Sequence, residues 1–153
     1  MSKSRLFAVA TIGLAACSSV TTPTPLFAQS SVTVTDLRKN CQITVPAGWT
    51  VQTSTGYSPD KKISATVNGV VARSSFADAK TMVQTAMKPI KVVTDTPKLL
   101  LYTFDPGSPG AGKTGWYAVA ATTPTCATSL MFPPGTSEAT LRAVVDSLGP
   151  VKK

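Results

Sequence analysis

Three segments in the second half of the chain decide the fold: KLLLYTF (residues 98–104), GWYAVAA (115–121) and TCATSLMF (125–132). Each contains aromatic and β-branched side chains, which favour strands. Proline and glycine lie between the segments and favour turns. With Ile90 to Thr94 just before them, these segments predict four consecutive strands, and short connections between such strands are typical of an antiparallel sheet.

Shorter strands are predicted upstream. Val32 to Thr35 and Cys41 to Val45 alternate apolar and polar residues. The turn Pro46 to Trp49 is then expected to return the chain into a strand at Thr50 to Thr53. A further strand is predicted over Ile63 to Val67, where every second residue is apolar and should face one side.

A helix is predicted from Ser75 to Lys88, ending at Pro89, with four apolar residues on one face: Phe76, Ala79, Val83 and Ala86. Ser75 and Asp78 have the spacing of a capping box, with aspartate in the position of glutamate. Met82 and Met87 lie beside the apolar face. We expect them to be flexible core filler rather than a binding surface.

A second helix is predicted after Pro133-Pro134-Gly135, with Thr136 or Ser137 as its cap and Gly149-Pro150 as its end. Its apolar face consists of Leu141, Val144, Val145 and Leu148. The order of strands, helix, four strands and helix predicts an α+β fold. In it, a mostly antiparallel β-sheet packs against two amphipathic helices as an α/β sandwich.

The first seventeen residues have the pattern of an export signal. Lys3 and Arg5 give a positive start, Leu6 to Ala16 is an apolar run, and Leu14-Ala15-Ala16-Cys17 closes it. A run of about eleven apolar residues is too short to cross a bilayer as a helix, which needs roughly twenty. We therefore expect residues 1–16 to be a signal peptide that is removed and the remainder to be exported.

Two processing sites fit the end of this leader. Leu14 to Cys17 resembles the lipobox of bacterial lipoproteins, in which the cysteine thiol accepts a diacylglyceryl group and becomes the first mature residue. Cys17 is then the lipid attachment site and residues 17–31 are a Ser/Thr/Pro-rich tether. The domain is then anchored on the periplasmic side of the envelope, at the outer membrane. Cleavage after Ala28 is the alternative, and it predicts a soluble periplasmic or secreted protein.

Cysteine usage agrees with either processing site, because both leave Cys41 and Cys126 as the remaining pair. An even number of cysteines in an oxidising compartment favours a disulfide. Strand alternation also predicts that both sulfurs face the core. Cys41 lies on the same side of its strand as Ile43 and Val45, and Cys126 lies on the same side as Leu130 and Phe132. Two buried free thiols are the alternative. A redox pair is not expected, since the sequence has no CxxC spacing.

Composition restricts the chemistry. The 153 residues predict one globular domain, over residues 32–153. The chain has no histidine and seven dispersed acids, so we expect no catalytic residue, cofactor or metal site. Losing the leader removes two of the positive charges in the formal net charge of +8. The remaining charge favours anionic surfaces or serves only solubility, and without an arginine-rich run nucleic acid is not an expected partner.

Two other features suggest ligand binding but have simpler structural explanations. Residues 107–114, GSPGAGKT, match the phosphate-loop pattern GxxxxGK[ST]. In a phosphate loop the pattern is followed by a helix whose N-terminus faces the phosphates. Here it is followed by Gly115 to Ala120, which is typical of a strand. We therefore expect a hairpin loop that does not bind a nucleotide. This loop, Asp105 to Thr114, is the segment best placed to contact a partner. Four aromatic residues are expected to pack in the core rather than form a ligand platform: Trp49, Tyr57, Trp116 and Tyr117.

The order of elements is similar to that of the PsbP/DcrB-like exported α/β sandwich domains. The shared features are the Pro-x-Gly-Trp turn at Pro46 to Trp49, the Ser-Pro-Asp turn at Ser58 to Asp60, a mid-chain helix and a terminal Ser-Leu helix. The resemblance covers Val32 to Leu148. It implies binding rather than catalysis, because members of that family serve mostly as accessory or scaffolding factors and share no catalytic residues.

The sequence therefore predicts a non-catalytic, exported cell-envelope protein that acts as a binding or accessory factor. Its expected partner is an envelope protein, a lipid surface or a glycan, and the protein is expected to be a monomer. The alternative is an exported enzyme with an unrecognised Asp/Lys/Tyr site. A deep polar pocket with two neighbouring acids favours the enzyme, whereas a shallow apolar or basic surface patch favours binding.

Overall fold

Ten strands and two α-helices are present in the computed structural model within the residues it describes, which are 30–68, 74–87, 89–104 and 114–152. The predicted leader, Cys17, the alternative cleavage site after Ala28 and residues 107–113 of the phosphate-loop pattern lie outside these ranges. The strands pair in two antiparallel sheets. The α+β sandwich predicted from the sequence is therefore confirmed.

The helices are α1 (Phe76–Met82), which continues into a π-helical turn (Val83–Met87), and α2 (Glu138–Asp146). The strands are β1 (Val32–Thr35), β2 (Cys41–Val45), β3 (Thr50–Gln52), β4 (Thr55–Tyr57), β5 (Ser64–Asn68), β6 (Lys91–Asp95), β7 (Leu99–Phe104), β8 (Thr114–Ala120), β9 (Cys126–Phe132) and β10 (Gly149–Pro150).

Seven strands form the large sheet, in the order β3-β4-β5-β9-β8-β7-β6. The four strands predicted after the first helix are all present and form one half of it. β8 pairs with β7 on one side and with β9 on the other. Leu99 lies opposite Ala120 in the first pairing, and Thr114 lies opposite Phe132 in the second. Because their connections are short, consecutive strands pair directly, as expected for an antiparallel meander.

The small sheet has the order β1-β2-β10, and it corrects one expectation. The turn at Pro46 to Trp49 does not fold β3 back onto β2. Both edges of β2 are already occupied, by β1 on one side and β10 on the other. The turn instead carries the chain from the small sheet to the large one, where β3 pairs with β4.

The strand β4 was not expected from the sequence. A turn at Thr53, which has a φ of 57°, joins it to β3. Its centre is Gly56, where a Cβ atom would lie 3.1 Å from Val34 Cγ2 and 3.2 Å from Val45 Cγ1. Glycine is required here because a larger side chain would crowd Val34 and Val45 of the small sheet. Gly56 therefore weakens the strand pattern in the sequence but permits the two sheets to pack together.

The large sheet is covered on both faces. One face packs against the small sheet and α2 and includes Leu101, Trp116 and Leu130. The opposite face packs against α1 and includes Leu100, Tyr102 and Val119. Alternate residues of β7 and β8 thus enter two different cores, which explains why both strands are apolar throughout rather than alternating.

The first helix follows the prediction only in part. Ala79 and Val83 are buried against the sheet, but Ala86 is exposed. The π-helical turn that begins at Val83 has more residues per turn than an α-helix, so the spacing of three residues no longer returns to the same face. Met82 and Met87, expected as core filler, are 39% and 47% exposed.

The second helix agrees with the prediction. Leu141, Val144, Val145 and Leu148 are all buried in the core against the small sheet. Ser137 is the N-cap residue, and its side chain makes no capping hydrogen bond. Gly149 and Pro150 do follow the helix end, and they also form β10, which pairs with Gln42 and Cys41.

Cys41 and Cys126 form a disulfide, as expected from the sequence, with their Cα atoms 5.7 Å apart. Cys41 begins β2 in the small sheet and Cys126 begins β9 in the large sheet, so the bond joins the two layers. Both side chains are fully buried. The bond closes a segment of 85 residues, and closing a long segment restricts the unfolded chain.

Replacing Cys41 and Cys126 together with serine is expected to lower the free energy of unfolding by about 4 kcal/mol, because the unfolded chain regains the entropy of a long open loop. Denaturant unfolding of the oxidised protein measures this change. Reduced and alkylated wild-type protein is the matched control and should lose the same amount. A loss below about 1 kcal/mol in both would show that the sheets hold together without the bond.

Candidate functional site

The disulfide lies at one end of the sandwich, which we call the disulfide end. Antiparallel pairing brings three connections to this end: the β1–β2 turn (residues 36–40), the β6–β7 turn (96–98) and the β8–β9 connection (121–125). The amide of Ala121 donates to the carbonyl of Lys98 at 2.8 Å. The chain after β10 joins them, because the amide of Val151 donates to the carbonyl of Asn40 at 2.9 Å.

A buried carboxylate fixes the β1–β2 turn. Asp36 is 2% exposed. Its Oδ1 accepts the amides of Asn40 at 2.6 Å and Cys41 at 2.7 Å, and its Oδ2 accepts the amide of Arg38 at 3.1 Å. The turn also places Lys39 at a φ of 54°. Because short charge-assisted hydrogen bonds hold three amides of this turn, its shape is set before any partner arrives.

The turn presents an apolar side chain between cations. Leu37 is 78% exposed, more than any other large apolar side chain recorded in the described residues. Arg38 and Lys39 follow it and are also exposed. We call Leu37, Arg38 and Lys39 the basic tip. Two further exposed lysines lie at the same end, Lys98 and Lys152.

The acids near the disulfide end are already engaged. Asp36 is buried under the turn, Asp95 forms an ion pair with Lys80, and the carboxylate of Asp78 accepts the hydroxyl of Ser75 at 2.6 Å. None of these three carboxylates pairs with a cation of the basic tip in the contacts described. Only Asp95 is neutralised by a cation, so the exposed cations of this end outnumber the two remaining carboxylates, and the described part of the end is positively charged.

An open cleft of about 450 Å³ lies at the disulfide end, lined by Ser74 to Phe76 and by Ala121 to Thr125. A cis peptide bond joins Thr123 and Pro124 in its wall. The capping interaction predicted at Ser75 is present, since Ser75 Oγ accepts the amide of Asp78 at 3.1 Å. The lining residues that the structure describes carry hydroxyl groups, methyl groups, a proline ring and the phenyl ring of Phe76, and none of them is charged.

Other described acids also have local partners. Asp60 accepts the hydroxyl of Ser58 at 2.6 Å, and this hydrogen bond lowers the pKa of the Asp60 carboxyl, with help from the amide of Lys62. Glu138 pairs with Arg142 one helical turn away. In the described part of the chain, no three Asp, Glu, Cys or His side chains lie close enough to hold a metal ion.

Two tyrosines pack on the α1 side of the large sheet with ring centroids 5.4 Å apart. Burial raises the pKa of Tyr102 strongly and raises that of Tyr117 to about 12. The hydroxyl of Tyr102 donates to Met87 Sδ at 3.2 Å. Because a phenol with a raised pKa stays protonated at neutral pH, neither group offers a base there.

The aromatic residues confirm the core interpretation. Trp49, Trp116 and Tyr117 are buried, and Tyr57 is half-buried. The Trp116 ring meets Phe132 edge-on, and the guanidinium of Arg142 lies 5.3 Å above it. Residues 114–120 form β8, so the phosphate-loop pattern leads into a strand, as expected, rather than a helix.

Comparisons of the chain with protein-family models, with curated proteins and with solved structures find no match. Neither α-helix described in the structure has the length and apolar content needed to cross a membrane. The resemblance to PsbP/DcrB-like domains therefore stays a prediction from element order.

The basic tip was not predicted from the sequence, where only the net charge and the lack of an arginine-rich run were considered. The signal was present in Asp36 to Asn40, where an aspartate opens a short polar turn between two alternating strands. Leucine is unusual in such a turn. What the sequence did not supply is the position of Lys98 and Lys152, which only strand pairing brings to the same end.

Asp36→Ala is expected to lower the free energy of unfolding by about 2 to 3 kcal/mol, because buried amides lose a charged acceptor. The amides of Asn40 and Cys41 should also exchange with solvent faster. Asp146→Ala is the matched control, since Asp146 is exposed and its removal changes the net charge equally. Equal stability of the two variants would contradict the structural role of Asp36.

Stability is expected to fall at high pH because of Tyr117. Its folded-state pKa lies above the ordinary value of 10.0, so the folded chain holds the phenolic proton more tightly than the unfolded chain. This stabilisation is complete below pH 10 and is lost as the pH rises to about 12. Denaturant unfolding across this range measures it, and Tyr117→Phe should reduce the slope by about 1.4 kcal/mol per pH unit. An unchanged slope would contradict the assignment.

Proposed function

We propose that this protein is a non-catalytic, exported lipoprotein of the cell envelope that acts as a binding or accessory factor. The observation that carries the proposal is the buried disulfide between Cys41 and Cys126, which joins the two sheets. Stable structural disulfides belong to oxidising compartments. The leader pattern of residues 1–16 points to the same compartment independently.

A binding role is supported by the state of the ionisable groups. Of the six carboxylates in the described residues, five are engaged in turns, caps and ion pairs, and only Asp146 is not among these five: Asp36, Asp60, Asp78, Asp95 and Glu138. The cleft at the disulfide end is open, and its lining residues within the described ranges are uncharged. A shallow basic surface with an exposed leucine favours contact with a partner over chemistry on a small substrate.

Attachment through Cys17 completes the proposal. A diacylated cysteine followed by a Ser/Thr/Pro-rich tether over residues 17–31 gives the domain a permanent anchor and freedom to orient. The PsbP/DcrB-like resemblance points to the same kind of accessory role. An anchored domain also needs only weak contacts, because the tether keeps it at a high local concentration near its partner.

Cys17→Ser is expected to abolish incorporation of a labelled fatty acid and to release the protein from the membrane fraction of a bacterial host. The physical reason is that each acyl methylene contributes about 0.8 kcal/mol of membrane binding, and this contribution is lost with the thiol. Acyl labelling and fractionation measure both effects, and intact mass identifies the first mature residue.

Cys126→Ser is a suitable control, because it removes a cysteine without touching the attachment site, and it should still be labelled. A mature protein that begins at Gln29 would support cleavage after Ala28 and overturn the anchored form. A protein that keeps residues 1–16 and stays in the cytoplasm would overturn the proposal as a whole.

A further inference from the structure

The basic tip combines three features that seldom occur together on a domain surface. Leu37 is 78% exposed, although leucine is among the residues most often buried in folded proteins. Two cations follow it directly in the chain. The backbone beneath all three is held by the buried carboxylate of Asp36, so ordering the turn costs nothing on binding.

The residues around the basic tip add positive charge to it but do not enlarge its apolar surface. Lys98 and Lys152 add two exposed cations at the disulfide end. Asp36 is buried beneath the turn and bonded to its amides, while Asp78 bonds to Ser75 and Asp95 pairs with Lys80. The pattern is one apolar side chain at an apex with positive charge around it. A ligand that matches it offers negative charge at its surface and an apolar layer just beneath.

We propose that the disulfide end binds the surface of an anionic phospholipid bilayer, with Leu37 inserted among the acyl chains and Arg38 and Lys39 at the phosphates. This inference rests on the proposed function, because an envelope-anchored domain meets a bilayer. Acidic polysaccharide would match the cations but would give Leu37 nothing to enter. A protein partner would be expected to cover a larger apolar area than one side chain.

The proposed anchor allows this orientation. Ser30 and β1 begin at the opposite end of the sandwich from the basic tip. Cys17 precedes Val32 by 15 residues, and a chain of that length reaches up to about 50 Å. The seven residues of β9 extend over roughly 23 Å. The tether is therefore long enough for either end of the domain to face the membrane.

The test uses the full oxidised chain carrying Leu37→Trp, with phosphatidylcholine vesicles that contain brominated lipid and either a third or no phosphatidylglycerol. Tryptophan at 37 should shift its emission to the blue and be quenched in the anionic vesicles only. The native Trp49 and Trp116 are 8% and 7% exposed, so they supply a constant background. Ile90→Trp is the matched control, since Ile90 is 67% exposed at the opposite end, and it should not be quenched.

The charges are tested in the same Leu37→Trp background. Replacing Arg38 and Lys39 with glutamine should weaken vesicle binding about twenty-five-fold, since each cation near an anionic surface is worth about a factor of five. Lys61→Gln with Lys62→Gln removes the same charge at the opposite end and should change binding much less. Circular dichroism checks that each variant is folded.

Three results would overturn the inference. Tryptophan at 37 stays unquenched in anionic vesicles, or tryptophan at 90 is quenched equally, or dextran sulfate shifts the emission of tryptophan at 37 while vesicles do not. The last result would assign the tip to a soluble polyanion. Because the readout reports the depth of residue 37, it is independent of acylation at Cys17, so this inference and the proposed function fail separately.

Discussion

The contact between the two sheets is the constraint on which the rest of the structure depends, and the Cys41–Cys126 disulfide fixes it at one end. The small sheet has only three strands, and its apolar residues Val34, Ile43 and Val45 need a second layer to be buried. It gains one by lying on the large sheet, where Gly56 lets Val34 and Val45 approach closely. The same bond holds the β1–β2 turn against the β8–β9 connection, so the disulfide end is a rigid platform.

The chemistry of the domain follows from how its charges are divided. Most described carboxylates serve the backbone, as Asp36 does, or neutralise a neighbouring cation, as Asp95 does for Lys80. Several cations form no such ion pair in the contacts described, and their side chains are exposed at the ends of the sandwich. A surface of this kind attracts anionic partners.

Most strands could be predicted from the sequence because alternation and β-branched residues act locally. β2 and β9 show their core side directly, in Cys41 and Cys126. β4 could not be predicted, because its central residue, Gly56, is required by a contact with the small sheet and does not favour a strand locally. Ala86 and Met87 were misplaced because a π-helical turn changes the helical period, and nothing in the local sequence marks that change.

The sequence by itself determined the class of fold, the disulfide partners and the lack of a histidine-based site, because these depend on composition and on periods of two or 3.6 residues. Only the tertiary structure decided that β2 pairs with β10 rather than β3, and that Leu37, Lys98 and Lys152 share one end. Strand pairing joins residues far apart in the chain. A local sequence pattern does not show which strand edges are already paired. The residues that form the surface at one end of the domain can therefore be identified only from the folded structure.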